Sequence, residues 1–286
     1  MTAVPQTNTV SYLERADGRV AYEEAGAGPL VVCVPGMGDL RASYRFLRES
    51  LVAAGYRVVL MDLRGHGDSD TSFPRYGDAA TAEDITALLD HLDCPAVLVG
   101  NSMAAGSAVL VAAGRPALVS GLVLIGPFVR NPAVSAFNRL LFRVALAAPW
   151  AAASWNAYLP RLYAGRIPED FSSYRRSVVT ALRRPGYARA FSRTTKTSHA
   201  EAAAVLPAVH TPALVVMGTM DPDFADPQKE AAWIGAQLRG EVLLVPNAGH
   251  YPQSQCPEIV SPAIVSFLNQ VCAVERQERE EVVSGA

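Results

Sequence analysis

The chain contains few cysteines, and their spacing fits no known framework. Its 286 residues include four, at positions 33, 94, 256 and 272, without a C-x-x-C pair or the spacing of zinc ligands. Cys33 and Cys94 lie in or next to apolar, strand-like runs, where a free thiol packs as a small apolar side chain. We therefore expect reduced, buried thiols in a cytoplasmic protein, with neither a disulfide framework nor a bound metal.

Charged residues are scarce as well. They make up 18% of the chain, and a net charge of -2 with a pI near 6.2 argues against electrostatic binding to nucleic acid or an anionic membrane. The first residues lack a basic segment followed by an apolar core, so no secretory signal is expected. The apolar stretch 144–155 contains Pro149 and is shorter than the roughly 20 residues that a bilayer requires. We expect no membrane span, and a small, largely apolar molecule as the partner.

The chain does contain a repeated alternation of apolar runs and helix-like segments. The apolar runs are nearly continuous in Val, Leu and Ile, as in strands covered by helices on both faces. They are residues 30–34, 57–61, 96–100, 121–125, 213–217 and 241–245, and the helix-like segments are 44–54, 81–92, 103–113, 228–238 and 258–272. This alternation predicts an α/β fold with a mostly parallel sheet. Residues 10–15 and 19–24 predict a β-hairpin at one edge of the sheet.

The alternation stops between about residues 127 and 206, where no strand pattern is found. Pro132, Pro149, Pro160, Pro168 and Pro185 divide this stretch into about four short helices. We interpret residues 130–206 as a helical cap inserted into a core made of residues 1–129 and 207–274. Residues 275–286 are charged and rich in small side chains, so we expect a frayed, flexible tail there.

Four of the predicted strands are followed by residues suited to acyl-transfer chemistry. The run 96–100 leads into Ser102 and then a helix, and such a sharp turn exposes a serine hydroxyl at the helix N-terminus. The sequences P-G-M-G-D from residue 35, G-T-M-D-P-D from residue 218 and P-N-A-G-H-Y from residue 246 follow three other strands. Because loops at the carboxyl ends of strands line one crevice in an open α/β sheet, we expect these four segments to meet.

These motifs resemble those of the α/β-hydrolase fold superfamily over nearly the whole chain. The order serine, acid, histidine is the order of that family, and M-D-L-R-G-H-G-D-S-D at 61–70 is similar to its D-x-R-G-x-G-x-S segment. The resemblance implies Ser102 as nucleophile, His250 as general base and then acid, and Asp221 as the residue that orients the imidazole. It also implies an oxyanion hole formed by the backbone amides of Met37 and Met103. Such a mechanism needs no metal or organic cofactor.

Some positions leave alternatives or depart from the family pattern. Asp223 and Asp226 compete with Asp221 as the acid, but the spacing from Gly218 and the stiffening by the following proline favour Asp221. Pro35 stands where many members have a histidine. Ala104 replaces a glycine of the G-x-S-x-G motif, which adds a methyl group where the helix and the strand cross closely.

The serine at the turn predicts cleavage of an ester or a related acyl bond. Aromatic residues are candidates for an apolar substrate pocket, with packing between cap and core as their alternative role; they are Phe128, Phe137, Trp150, Trp155 and Tyr251. N-S-M at 101–103 with H-x-x-Q at 250–253 is similar to hydrolases that cleave the carbon-carbon bond of vinylogous diketones, and a pathway thioesterase is equally compatible. A hydrolase-fold ligand receptor or signalling partner with slow turnover is an alternative of another class.

Overall fold

The computed structural model describes residues 9–132 and 135–284, and in these residues eight strands form one sheet. The strands are β1 (Val10–Arg15), β2 (Gly18–Ala25), β3 (Leu30–Val34), β4 (Arg57–Met61), β5 (Ala96–Asn101), β6 (Val119–Ile125), β7 (Ala213–Gly218) and β8 (Glu241–Val245). Their order is β1-β2-β4-β3-β5-β6-β7-β8, and only the β1–β2 and β2–β4 pairs are antiparallel. The predicted mostly parallel sheet and its edge hairpin are confirmed.

Helices cover both faces of the sheet, as the continuous apolar strands predict. Outside the segment between β6 and β7 they are α1 (Arg45–Ala53), α2 (Asp78–Leu92), α3 (Met103–Gly114), α9 (Pro227–Leu238), α10 (Pro252–Gln255) and α11 (Pro257–Ser284). Alternate residues of one strand enter different cores: Leu98 packs with α2, α3 and α9, whereas Val97 and Val99 pack with α1 and α11. The sheet is therefore buried on both sides, and its loops are left to carry the chemistry.

The segment between β6 and β7 is helical, and we call it the helical insertion. In its described parts there are five helices rather than about four: α4 (Ala136–Ala145), α5 (Ala151–Leu162), α6 (Phe171–Leu182), α7 (Tyr187–Thr194) and α8 (Ala200–Val205). Trp155, Tyr163, Tyr174 and Phe191 form a small core of its own, which also includes Tyr251 from the loop after β8. The helical insertion therefore packs against the carboxyl edge of the sheet.

The C-terminal residues differ from the prediction of a frayed tail. Helix α11 continues to Ser284, so residues 275–284 are helical, while residues 285 and 286 lie outside the described residues. This segment is rich in Glu, Arg and Gln, which are good helix formers, and it has no glycine or proline before Gly285. The charged composition that indicated an irregular end is equally that of a polar helix.

One helix in the described residues is long and apolar enough to cross a membrane by length and composition alone. It is the window Pro257–Val274 of α11, with a mean hydropathy of 1.3 and 39% of its residues buried. Val260, Ile264 and Leu268 on this helix are fully buried in the core beneath the sheet. The core helix of an α/β protein has the same length and apolar composition, and we interpret α11 as such a core helix.

Candidate active site

Ser102 lies at the turn between β5 and α3 in a strained backbone conformation. Its φ is +57° and its ψ is -123°, a combination that a non-glycine residue adopts only when the surroundings enforce it. The Ser102 amide donates to the carbonyl of Ile125 over 2.9 Å, and the Phe128 amide donates to the Ser102 carbonyl over 3.2 Å. The end of β6 and the loop that follows it thus hold the backbone of the turn.

Close packing around the turn explains the small residues of the motif. A Cβ atom on Gly100 would come within 2.6 Å of the Ala104 carbonyl oxygen, so the backbone approach requires glycine there. Ala104 itself is fully buried, and its methyl group is accommodated in the core on the α3 side. The departure at position 104 is therefore compatible with the turn.

His250 and Asp221 form a buried pair at the ends of two neighbouring strands. His250 Nδ1 lies 2.7 Å from Asp221 Oδ2, and both residues are 2% exposed. Burial acts to lower the pKa of His250, but the carboxylate of Asp221, together with those of Asp223 and Asp39, outweighs this effect and raises that pKa to about 9. Since the hydrogen bond to Asp221 uses Nδ1, Nε2 is left as the atom that exchanges a proton with another group.

The alternative acids have other partners. Asp223 Oδ1 accepts a hydrogen bond of 2.5 Å from the Tyr158 hydroxyl, and the Asp223 amide donates to Asp221 Oδ1 over 3.0 Å. Burial raises the pKa of Asp223. Asp226 caps α9 by accepting from the Lys229 amide. The structure therefore brings Asp221 to the histidine, whereas Asp223 and Asp226 have other hydrogen-bond partners. The catalytic role of Asp221 stays a prediction.

The loop after β3 approaches the serine from the other side. A Cβ atom on Gly36 would lie 2.8 Å from Ser102 Cβ, so this glycine allows the next residue, Met37, to come close to the turn. In the described part of the chain, the Met37 and Met103 amides donate to no backbone or side-chain acceptor. Ser102 Oγ likewise makes no hydrogen bond to any residue that the structure describes, as is common for a nucleophile without its substrate.

Asn101, the first residue of the N-S-M motif, has a structural role that the motif does not indicate. Its side-chain amide donates to the Ile125 carbonyl over 3.0 Å and to the His250 carbonyl over 3.2 Å. It is fully buried and directly precedes the serine, so it joins the nucleophile turn to the histidine loop 149 positions further along the chain. Only its position next to Ser102 could have indicated this role.

We expect Asn101→Ala to lower the free energy of unfolding by about 1–3 kcal/mol, because the buried His250 carbonyl loses its Asn101 donor and the Ile125 carbonyl keeps only the Ser102 amide. It should also lower kcat, since the loop that carries His250 is no longer tied to the serine. Urea unfolding and steady-state kinetics measure the two effects. Asn138, exposed on α4, is the matched control, and Asn138→Ala should change the stability by less than about 0.5 kcal/mol. An Asn101 variant as stable and as active as wild type would contradict this role.

The aromatic residues predicted to line a pocket divide into two groups. Phe128 lies beside His250, with ring centroids 6.0 Å apart, while Trp155 and Tyr251 are buried next to the loops just described. Phe137 and Trp150 are 72% and 49% exposed, so the structure does not place them in a pocket, and that prediction is corrected. Both belong to the exposed start of the helical insertion, whereas composition alone suggested that all of its aromatic residues face inward.

Metal-ligating side chains also meet here. Asp221, Asp223 and His250 each offer a donor atom, and these atoms lie within 4.8 Å of one another. In the geometry described, however, Asp221 and His250 bind each other and Asp223 binds Tyr158. The expectation that the reaction needs no metal stays a prediction.

A mostly parallel sheet that carries a strained serine turn and a buried His–Asp pair at its carboxyl edge has the architecture of the α/β-hydrolase fold. Residues 31–263 match the model of the alpha/beta hydrolase family, and the chain belongs to that family. The predicted fold superfamily is thereby confirmed.

Three similar proteins show the range of this family. The chain is 32% identical over 263 residues to a dihydrolipoyllysine-residue acetyltransferase component of the acetoin cleaving system of Pseudomonas putida, covering 87% of this chain and 66% of that protein. It is 37% identical over 139 residues to a 2-hydroxy-6-oxononadienedioate/2-hydroxy-6-oxononatrienedioate hydrolase of Paraburkholderia xenovorans, covering 44% and 47%. The chain thus spans less than two thirds of the length of either relative. A thermophilic esterase from Thermogutta terrifontis has a similar structure, with a TM-score of 0.79 at 25% identity over 92% of this chain and 99% of that one.

Proposed function

We propose that this protein is a serine hydrolase that cleaves an ester or a related acyl bond of a small, largely apolar substrate. One observation carries the proposal: the strained Ser102 turn and the buried His250–Asp221 pair stand at the carboxyl ends of β5, β7 and β8. Such an arrangement combines a nucleophile, a base and a group that orients the base. The similarity to an esterase over nearly its whole length supports the same reaction class.

The proposed mechanism has two acyl-transfer steps. Ser102 Oγ attacks the substrate carbonyl while His250 Nε2 accepts its proton and then delivers it to the leaving group. Asp221 holds Nδ1 and stabilises the imidazolium that forms. The amides of Met37 and Met103 donate to the oxyanion, and each such donor contributes about 3–4 kcal/mol to transition-state stabilisation. Water activated by the same histidine then hydrolyses the acyl-enzyme.

The substrate class follows from the groups that surround the site. Phe128 and Tyr251 stand beside His250, and Trp155 contacts Gly38 in the loop that carries Met37. Trp155 and Tyr251 belong to the core of the helical insertion, which in this proposal acts as a cap. Such surroundings favour an acyl or leaving group without charge.

The direct test is turnover of p-nitrophenyl esters of increasing chain length, together with labelling of Ser102 by a fluorophosphonate. We expect hydrolysis of the short esters and a single adduct on Ser102, identified by mass spectrometry. If no ester were turned over while a small ligand still raised the melting temperature, a ligand receptor on this fold would replace the hydrolase as the better hypothesis.

A carbon-carbon bond hydrolase is the second candidate. The 37% identity to an oxononadienedioate hydrolase favours it, as does Gln253 of the H-x-x-Q motif. Gln253 is 1% exposed, and among the described residues its amide nitrogen and oxygen have no hydrogen-bond partner. A buried amide without partners is available for a polar substrate. Turnover of a vinylogous diketone faster than that of any ester would favour this candidate.

The raised pKa of His250 predicts a distinct pH dependence. Only the neutral imidazole accepts a proton from Ser102, so kcat/KM should rise with pH through an apparent pKa well above the ordinary value of about 6.5, towards about 9. Conversely, the ion pair stabilises the fold fully below about 6.5, and that stabilisation is lost as the pH rises through about 9. A kcat/KM profile between pH 5 and 10, with melting temperatures as the folding control, measures both effects. A rise that is complete at pH 6.5 would contradict the expected ion pair.

A further inference from the structure

Helix α5 of the helical insertion contacts three loops of the proposed active site. Trp155 Nε1 donates to the Gly38 carbonyl over 2.8 Å, in the loop that carries Met37. One turn further, the Tyr158 hydroxyl donates to Asp223 over 2.5 Å, in the loop that carries Asp221. Because the two residues are three positions apart, they lie on one face of the helix, and their ring centroids are 5.8 Å apart.

The end of α5 binds the third loop. The His250 amide donates to the Leu162 carbonyl over 2.7 Å, and a Cβ atom on Gly249 would come within 2.3 Å of the same oxygen. Just beyond the helix, Gly165 and Ala248 form a β-bridge, which fixes the segment after α5 to the histidine loop. The glycine before His250 is therefore required by the approach of α5.

A contact with α6 also fixes the position of α5. Pro160 has no amide hydrogen, so the carbonyl of Asn156 receives no helical hydrogen bond from it. Arg175 of α6 supplies two donors instead, over 2.7 Å to the Asn156 carbonyl and 2.8 Å to its side-chain oxygen. The fit to the loop after β3 is also close, because a Cβ atom on Gly38 would lie 2.6 Å from the Trp155 ring.

We propose that Trp155 and Tyr158 are positioning residues for the proposed hydrolysis, which set the oxyanion loop and the acid loop at fixed places relative to His250. Neither residue touches the reacting atoms in this role. Trp155 acts through the Gly38 carbonyl on the amide of Met37, and Tyr158 acts through Asp223 on the neighbouring Asp221. Helix α5 is then a fixed part of the catalytic scaffold, and a lid that opened by moving α5 would dismantle the site.

This inference rests on the proposed function, and single substitutions that delete the donors test it. Tyr158→Phe removes the donor hydroxyl alone, whereas Trp155→Phe also removes part of a buried indole ring. Trp155→Phe and Tyr158→Phe should each lower kcat and the rate of Ser102 labelling by a fluorophosphonate about tenfold or more, since a misplacement of about 1 Å is enough to lower a rate about 100-fold. KM for a p-nitrophenyl ester should change less than twofold. A role in binding or in stability alone would change KM or the melting temperature and leave kcat unchanged.

Two controls match the substitutions. Tyr187, on α7 of the helical insertion, donates its hydroxyl to the Ser69 carbonyl, and Tyr187→Phe deletes that donor. Trp233, on α9, packs beneath the Arg130 guanidinium, and Trp233→Phe shortens that side chain. Both should keep kcat within twofold of wild type. The pair Tyr158→Phe and Asp223→Ala should be non-additive in kcat, because each removes the same hydrogen bond.

The outcomes separate the two proposals. If wild-type Ser102 is not labelled and no ester is hydrolysed, the proposed function is wrong and the positioning role is overturned with it. If the wild-type protein is active and both single variants keep its kcat and labelling rate, only the positioning role is overturned. Should Trp155→Phe fail to fold, Tyr158→Phe and its coupling to Asp223→Ala decide the question.

Discussion

Ser102→Ala and His250→Ala should each reduce kcat for ester hydrolysis by about 10⁴- to 10⁶-fold, and the double variant should lose little more. A serine hydroxyl is a weak nucleophile until a base removes its proton, so either residue alone contributes almost nothing to the reaction. The residual rate reflects the oxyanion donors and substrate binding, which both variants retain. Single-turnover and steady-state assays with a p-nitrophenyl ester give kcat for the two single variants and for the double variant.

The controls are a serine and a histidine outside the site. Ser177 and His210 are exposed, and their alanine variants should keep kcat within twofold of wild type. Additive losses in the double variant would show that Ser102 and His250 do not act as one unit, which the proposed mechanism does not allow.

Asp221→Asn should reduce kcat about 10⁴-fold with little change in the fold. The amide keeps the size of the carboxylate, but it donates towards His250 Nδ1 and favours the tautomer whose Nε2 carries the hydrogen. That nitrogen is then unable to accept the serine proton. The loss of the carboxylate also removes the main group that raises the pKa of His250, so the remaining activity should have its acid limb at a lower pH.

Asp223→Asn is the comparison that assigns the acid. Its side-chain oxygen still accepts from Tyr158, so we expect a loss in kcat of less than about tenfold, far below the effect of a wrong tautomer. Asp226→Asn serves as the control, because asparagine caps a helix as well as aspartate does. If the Asp223 variant were the more impaired of the two, the acid would be two positions away from Asp221.

Much of the fold could be predicted from local sequence patterns. The strand 30–34 and the strand 57–61 were predicted with the bounds that the structure has, because a continuous run of Val and Leu between turns is typical of a strand buried on both faces. The Ser102 turn was predicted for the same reason, since an apolar strand, small residues and a helix follow one another directly in the sequence.

Composition failed where one pattern fits two environments. Phe137 and Trp150 are apolar aromatic residues in a helical segment, yet they lie at the surface, because burial depends on what stands opposite a side chain. The difference between the predicted tail and the helical end of α11 has a similar cause, because a charged composition is typical of an irregular tail and of a polar helix alike.

The sequence by itself determined the alternation of strands and helices, the order of serine, acid and histidine, and the glycines that such close turns require. These are properties of neighbouring residues, and the backbone geometry of a short segment follows from its own side chains. Only the tertiary structure decided which aspartate reaches His250, that Asn101 ties the histidine loop to the serine, and that α5 binds the loops around them. These contacts join positions 29, 149 and 117 residues apart, and no local pattern encodes such pairings, because they exist only when the strands lie side by side in the folded sheet.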